Sequence, residues 1–107
     1  TIGKGSILAA GPYNIDNLLV ESYAVYTNKT TTGAMRGFGA PQVCFAYESQ
    51  MDEIAEKLEI DPLELRLKNA FTEGSSSPTS QQLQSVVLKE SLNQASDRFG
   101  WKDWKND

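Results

Sequence analysis

The residue pattern of this chain predicts an α+β fold: a strand or small β-hairpin, a glycine-rich loop, then about three α-helices. Three observations carry that expectation. Leu18 to Thr27 (LLVESYAVYT) is rich in Val and Tyr and places apolar groups on both sides of an extended chain. Asn28 to Gly39 (NKTTTGAMRGFG) is dense in Thr and Gly. From Pro41 onward, apolar residues recur at three- and four-residue steps. The 107 residues suit one small domain, divided into a strand region with its loop (1–39) and a helical part (40–107).

Taken in order, residues 1–16 are rich in Gly and small side chains and read as irregular. The strand that follows has Val20, Ser22, Ala24 and Tyr26 on one side and Leu19, Glu21, Tyr23 and Val25 on the other. A lone strand is not stable, so either Ser6 to Ala10 pairs with it or polypeptide beyond this chain does. Pro41 opens the first long helix, where its missing N–H costs nothing. Val43, Tyr47, Met51, Ile54, Ala55 and Leu58 form the apolar face of that helix. The next segment reads Asp61-Pro62-Leu63-Glu64: Asp61 can cap, Pro62 fits the first turn, and Glu64 can reach back. Leu63, Leu67 and Ala70 make the expected buried side of this second helix. Glu73 to Ser80 (EGSSSPTS) is a break. A third helix begins near Ser85, with Leu88, Leu92, Ala95 and Phe99 as its stripe and Gly100 as its stop. Trp101 and Trp104 then pack on that helix or on polypeptide beyond the chain.

Hydrophobic content of 39% and charged content of 22% are ordinary for a globular protein. The net charge of −4 argues against nucleic acid or an anionic membrane as partner. No apolar run approaches a membrane span, and the first residues lack the cationic and apolar regions of a secretory leader. The one cysteine, Cys44, cannot form an internal disulfide, which points to a reducing, cytoplasmic setting. Beside Val43 and Phe45, it reads as a buried, inert thiol. The chain has no histidine, which removes the commonest general base and metal ligand. Glu48, Asp52 and Glu56 form an acidic line whose ordinary reading is a solvated helix face rather than a metal site.

The segment with most chemical potential is Gly33 to Gln42 (GAMRGFGAPQ). Its glycines permit close backbone approach and positive φ. The helix that follows directs free N–H groups back at the loop, ground suited to a polar cofactor. Arg36 contributes a planar cation, and Phe38, between two glycines, can show a ring face to a flat molecule. Two readings stand on the residues: a binding loop, or a plain turn with Arg36 on the surface and Phe38 in the core. No Gly-Lys-Ser/Thr follows, so a phosphate-binding loop of a nucleotide-binding domain is disfavoured.

GPYNI at Gly11–Ile15, then SYAVYTN, AMRGFGAPQ, ESQMDEIAEKL and IDPLELRLKNA, together resemble the large molybdenum-binding subunit of xanthine dehydrogenase and aldehyde oxidase-type enzymes. The resemblance runs from about Gly11 to about Trp101 and implies an internal fragment of the molybdopterin-binding domain. It implies oxidation of heteroaromatic rings or aldehydes with water as oxygen source, by a molybdenum-pyranopterin cofactor, in bacteria usually a cytosine dinucleotide form. Electrons then leave through 2Fe–2S clusters to FAD on other domains or subunits. On this resemblance Arg36 and Gly37 lie at the cofactor, Arg36 through its backbone amide, and Phe38 stacks on the small-molecule substrate. A substrate-side arginine of the xanthine-type enzymes aligns near Lys4, and Met35 stands where mammalian relatives have phenylalanine. The catalytic glutamate belongs to a distant GxGE-type segment that is not in this chain. No residue here is therefore expected to be catalytic or to ligate the metal directly, and the fragment alone is expected to be inactive and free of cofactor. Its expected partners are the remainder of the molybdenum subunit and the FAD and iron–sulfur domains or subunits. The rival expectation is a small helical protein-interaction module without catalysis.

Overall fold

The computed structural model describes residues 2–104. Its elements are α1 (Ile2–Leu8), α2 (Ala40–Leu58), α3 (Pro62–Asn69), α4 (Leu88–Phe99) and the short α5 (Trp101–Trp104). Among the described residues, the strand-like pairing amounts to two isolated antiparallel bridges, Tyr13 with Ala70 and Ser76 with Gln82. The fold is thus mostly helical with little strand: the expected helices are present, but the strand or hairpin of the α+β expectation is not formed among the described residues. Leu18 to Thr27 forms no ladder and is exposed throughout. Ser6 to Ala10 cannot pair with it, because that stretch is taken up by α1 and the turn closed by Ala9 N–H on the Ser6 carbonyl. One link from this stretch to the helices is at Ser22, whose hydroxyl lies 2.6 Å from that of Ser6.

The irregular reading of residues 1–16 is corrected too. Gly3 and Gly5 each oppose a helix by roughly 1 kcal/mol, and packing overrides them. Gly5 is buried against α2, and a Cβ there would lie 3.5 Å from Val43 Cγ1 and 3.8 Å from the Gly39 carbonyl oxygen. Beyond α1 the chain turns at Gly11 (φ 65°) and crosses the Tyr47 ring, which a Cβ on Gly11 would meet at 2.8 Å. Pro12 to Asn14 then lies along the end of α3. Asn14 N–H donates to the Asn69 carbonyl at 2.8 Å and Phe71 N–H to the Pro12 carbonyl at 2.9 Å.

The long helix follows its pattern in its first three turns. Val43, Tyr47 and Met51 are half-buried and Ala55 is fully buried, while Leu58 is exposed. Glu59 ends α2 in the left-handed conformation (φ 55°), and Ile60 N–H closes on the Ala55 carbonyl at 3.0 Å. Asp61 caps α3 as its sequence signature predicts, its Oδ1 accepting from the N–H of Leu63 (2.8 Å) and of Glu64 (3.2 Å).

Arg66 binds α3 to α2. Its Nε donates to Glu48 Oε2 at 2.8 Å, its Nη1 to Asp52 Oδ1 at 2.7 Å, and its Nη2 to the Glu48 backbone carbonyl at 3.1 Å. The same Glu48 accepts the Tyr13 hydroxyl at 2.8 Å. The expected solvated acidic face is therefore, at Glu48 and Asp52, an ion-pair clamp. Burial works against the Arg66 charge, but the hydrogen bonds to Asp52 and Glu48 outweigh it and hold the pKa above the ordinary range. Burial, then the Glu48 carboxylate, raises the Tyr13 hydroxyl. Burial, with Cys44 and Glu48 adding to it, raises Tyr47 to about 12.

The expected break at Glu73–Ser80 is a narrow antiparallel turn. Ser77 N–H donates to the Gln81 carbonyl, Leu83 N–H to that of Ser75, and Gly74 N–H to that of Leu83. Ser85 is left-handed (φ 58°), so α4 starts at Leu88 rather than near Ser85. Gly100 stops it as expected (φ 72°). Trp101 then sends its indole N–H to the Asp61 carboxylate at 3.2–3.3 Å and packs on Trp104, ring centroids 5.4 Å apart.

The buried apolar residues are Ala10, Tyr13, Ala55, Leu65 and Ala70. Leu65 is the buried leucine of α3, while the expected Leu63 and Leu67 are half-buried. The radius of gyration is 16.3 Å, against about 13 Å for a compact domain of this length.

Arg66→Met leaves Glu48 and Asp52 without their cation. It should lower stability to urea by about 2 kcal/mol, below the 3–5 of a fully buried pair because Asp52 is open to solvent. Tyr47 holds its proton more tightly folded than unfolded, so its contribution is complete below about pH 10 and is lost as pH rises through about 12, with that of Tyr13 lost at higher pH still. The urea midpoint should fall over that window, less steeply in Tyr47→Phe.

Candidate functional site: the Gly33–Gln42 loop

The loop between the exposed stretch and α2 is built from consecutive left-handed residues. Gly37 (φ 92°), Phe38 (φ 50°) and Gly39 (φ 103°) follow one another, and Gly39 is the N-cap of α2. Two turns hold them: Phe38 N–H donates to the Met35 carbonyl at 2.8 Å and Ala40 N–H to the Gly37 carbonyl at 3.0 Å. A Cβ on Gly37 would lie 2.5 Å from Pro41 Cδ, so the bare Cα is what lets the loop fold onto the proline ring. Phe38, which does have a Cβ, bears about 1 kcal/mol of backbone strain for its position.

The consequence is the placement of the side chains. The plain-turn reading put Phe38 in the core. The structure leaves it 55% exposed, with no ring neighbour among the described residues. Arg36 is exposed, and the backbone N–H groups of Arg36 and Gly37 meet no acceptor among the described residues. Met35 is 72% exposed beside them. Lys4 is exposed on α1. An unengaged pair of backbone donors, an open guanidinium and an open ring within three consecutive residues can take up a polar group and a flat one side by side.

Next to the head of α2 lies an apolar recess of about 430 Å3, lined by Leu8, Pro12, Pro41, Cys44, Tyr47 and Phe71. Arg36 and Phe38 do not line it. Cys44 is exposed, which corrects the expected buried thiol. The buried stripe of α2 runs through Val43, Tyr47, Met51 and Ala55, and Cys44 lies one 100° step off it. Among the described residues no cluster of histidine, cysteine and carboxylate side chains could hold a metal ion, and no helix is long and apolar enough to cross a membrane. The clamp of Arg66 on Glu48 and Asp52 escaped sequence reasoning. The one available signal was the four-residue spacing of the two carboxylates, and nothing in it names a partner on another helix.

Residues 1–70 match the family model described as "Molybdopterin cofactor-binding domain", and the chain belongs to that family. A putative xanthine dehydrogenase molybdenum-binding subunit of Escherichia coli is 48% identical over 82 residues, 76% of this chain. The aldehyde oxidoreductase of Megalodesulfovibrio gigas is 41% identical over 99 residues, 92% of this chain. The chain spans 11% of the length of each of these relatives. The crystal structure of the aldehyde oxidoreductase from Desulfovibrio desulfuricans superposes with a TM-score of 0.86 at 32% identity, over 97% of this chain and 12% of that one.

Two glycines separate strain from collision. Gly37→Ala drives a methyl into Pro41 and should cost about 1–3 kcal/mol in urea unfolding. Gly74→Ala has a similar φ of 77° and nothing within 4 Å, and should cost only about 1 kcal/mol.

Proposed function

We propose that this chain is a segment of the molybdenum-binding subunit of a xanthine dehydrogenase or aldehyde oxidoreductase-type hydroxylase, in which residues 33–39 form one wall of the substrate site. The observation that carries this reading is Phe38, held left-handed and 55% exposed beside the unengaged N–H groups of Arg36 and Gly37. A protein rarely accepts backbone strain to present an apolar ring to solvent unless that ring has something to touch. Relatives are named for xanthine, aldehyde and nicotinate oxidation. The substrate class proposed here is accordingly a flat heteroaromatic ring or an aldehyde.

The overall reaction inserts an oxygen from water into a C–H bond and releases two electrons and two protons. The molybdenum-pyranopterin group, in a cytosine dinucleotide form, supplies the two-electron chemistry when bound. The loop's donors suit it: the N–H groups of Arg36 and Gly37 would hold its polar rim, and the Arg36 guanidinium would offset negative charge there. Phe38 restricts a flat substrate to one plane, and fixing orientation lowers the barrier. The proton-accepting carboxylate comes from polypeptide outside this chain. Iron–sulfur and FAD domains or subunits take the electrons. The helices α1 to α3 hold the wall in place.

In the molybdenum subunit, Phe38→Ala should lower kcat/KM about tenfold, ~1.4 kcal/mol of transition-state binding, with molybdenum content near normal. Loss of metal with no specific kinetic effect would contradict the stacking role. The 107-residue chain on its own should carry no molybdenum by elemental analysis, and a stoichiometric amount would overturn the claim that its site is incomplete.

A further inference from the structure

We infer that Leu18–Thr27 is an interior strand of a β-sheet whose other strands come from the same subunit's polypeptide outside these 107 residues. Over residues 18–27 the backbone N–H and C=O groups form no hydrogen bond with any described residue. Most of the large side chains stand open: Leu19 is 83% exposed, Tyr23 and Val25 76%, and Tyr26 fully, while Leu18 and Val20 are partly covered and Ser22 is tied to Ser6. A run of Val, Tyr and Leu without a ladder, open from Tyr23 to Tyr26, leaves apolar surface uncovered on both sides. The alternation sets Val20, Ala24 and Tyr26 against Leu19, Tyr23 and Val25, so both faces call for cover.

The position in the sheet follows from what the segment lacks. Edge strands are defended by lysines, prolines or inward charges. From Leu18 to Thr27 there is no Pro and no Lys, and Glu21 is the one charge. The occupant follows from elimination and from length. The candidate partner within the chain, Ser6–Ala10, is used by α1 and its closing turn. The chain spans 11–12% of the relatives it matches, so ample polypeptide remains to supply neighbouring strands. Set in a sheet, Thr27 would fix the near end of the loop that leads to Arg36, as α2 fixes its far end.

The inference rests on the proposed larger subunit but not on the roles of Arg36 and Phe38. Hydrogen exchange resolved to single amides tests it, on the 107-residue chain and on the intact molybdenum subunit. In the chain alone, amides 19–27 should exchange at unprotected rates. In the subunit they should slow at least about 100-fold, at odd and even positions alike, because successive N–H groups face opposite neighbours. Absence of protection in the subunit would overturn the inference. Protection at alternate positions only would make this an edge strand and overturn it as stated. Protection already in the isolated chain, with a doubled mass by light scattering, would make a second copy the partner instead. A subunit in which Phe38→Ala impairs turnover while these amides stay unprotected sinks the strand alone, and the opposite pair of results sinks the stacking role alone.

Discussion

The arrangement depends on one guanidinium. Arg66 reaches from α3 to two carboxylates and a backbone carbonyl of α2, and Glu48, one of those carboxylates, also receives the Tyr13 hydroxyl. Three segments distant in sequence meet at that point. Few apolar side chains are buried in this chain, and those that are tend to be small, so area alone gives little orientation between helices. A planar fork with fixed donor directions supplies what an alanine-rich contact cannot: an angle and a register between α2 and α3. Asp61 repeats the device on a smaller scale, capping α3 with the carboxylate that also accepts the Trp101 indole. Polar contacts thus set the geometry, and apolar ones fill around it.

The loop inherits that geometry through α2. Its backbone is fixed from the helix side by the Gly39 cap and the Gly37–Pro41 approach, and α1 rests on the same helix head through Gly5. Membership of the molybdopterin cofactor-binding family favours a segment of a larger domain over a free-standing interaction module. The spread of the chain, wider than a compact domain, agrees with a segment whose apolar surfaces are meant for neighbours.

What was legible in the sequence is what is local. The Asp61-Pro62 signature, the Gly100 stop and the four-residue stripe of α2 depend on residues within one or two turns, and the structure has each of them. What escaped depends on distance. Gly3 and Gly5 hide α1, whose stability comes from α2. Glu48 and Asp52 looked solvated because Arg66 stands 18 and 14 residues away. The strand pattern at Leu18–Thr27 was read from composition that presupposes partners, and none is among the described residues. The candidate site was marked by resemblance more than by spacing. The glycines on either side of Phe38 foretold an unusual backbone, but not that the ring itself would stand open.

The mounting of that ring has an evolutionary corollary. Because backbone turns rather than side-chain packing aim residue 38, its identity is uncoupled from folding. Unbranched or planar side chains can be exchanged there while the scaffold is untouched, whereas Val, Ile or Thr are resisted by the left-handed φ. Such a socket lets descendants of one gene change the side chain at a single position without renegotiating the architecture beneath it.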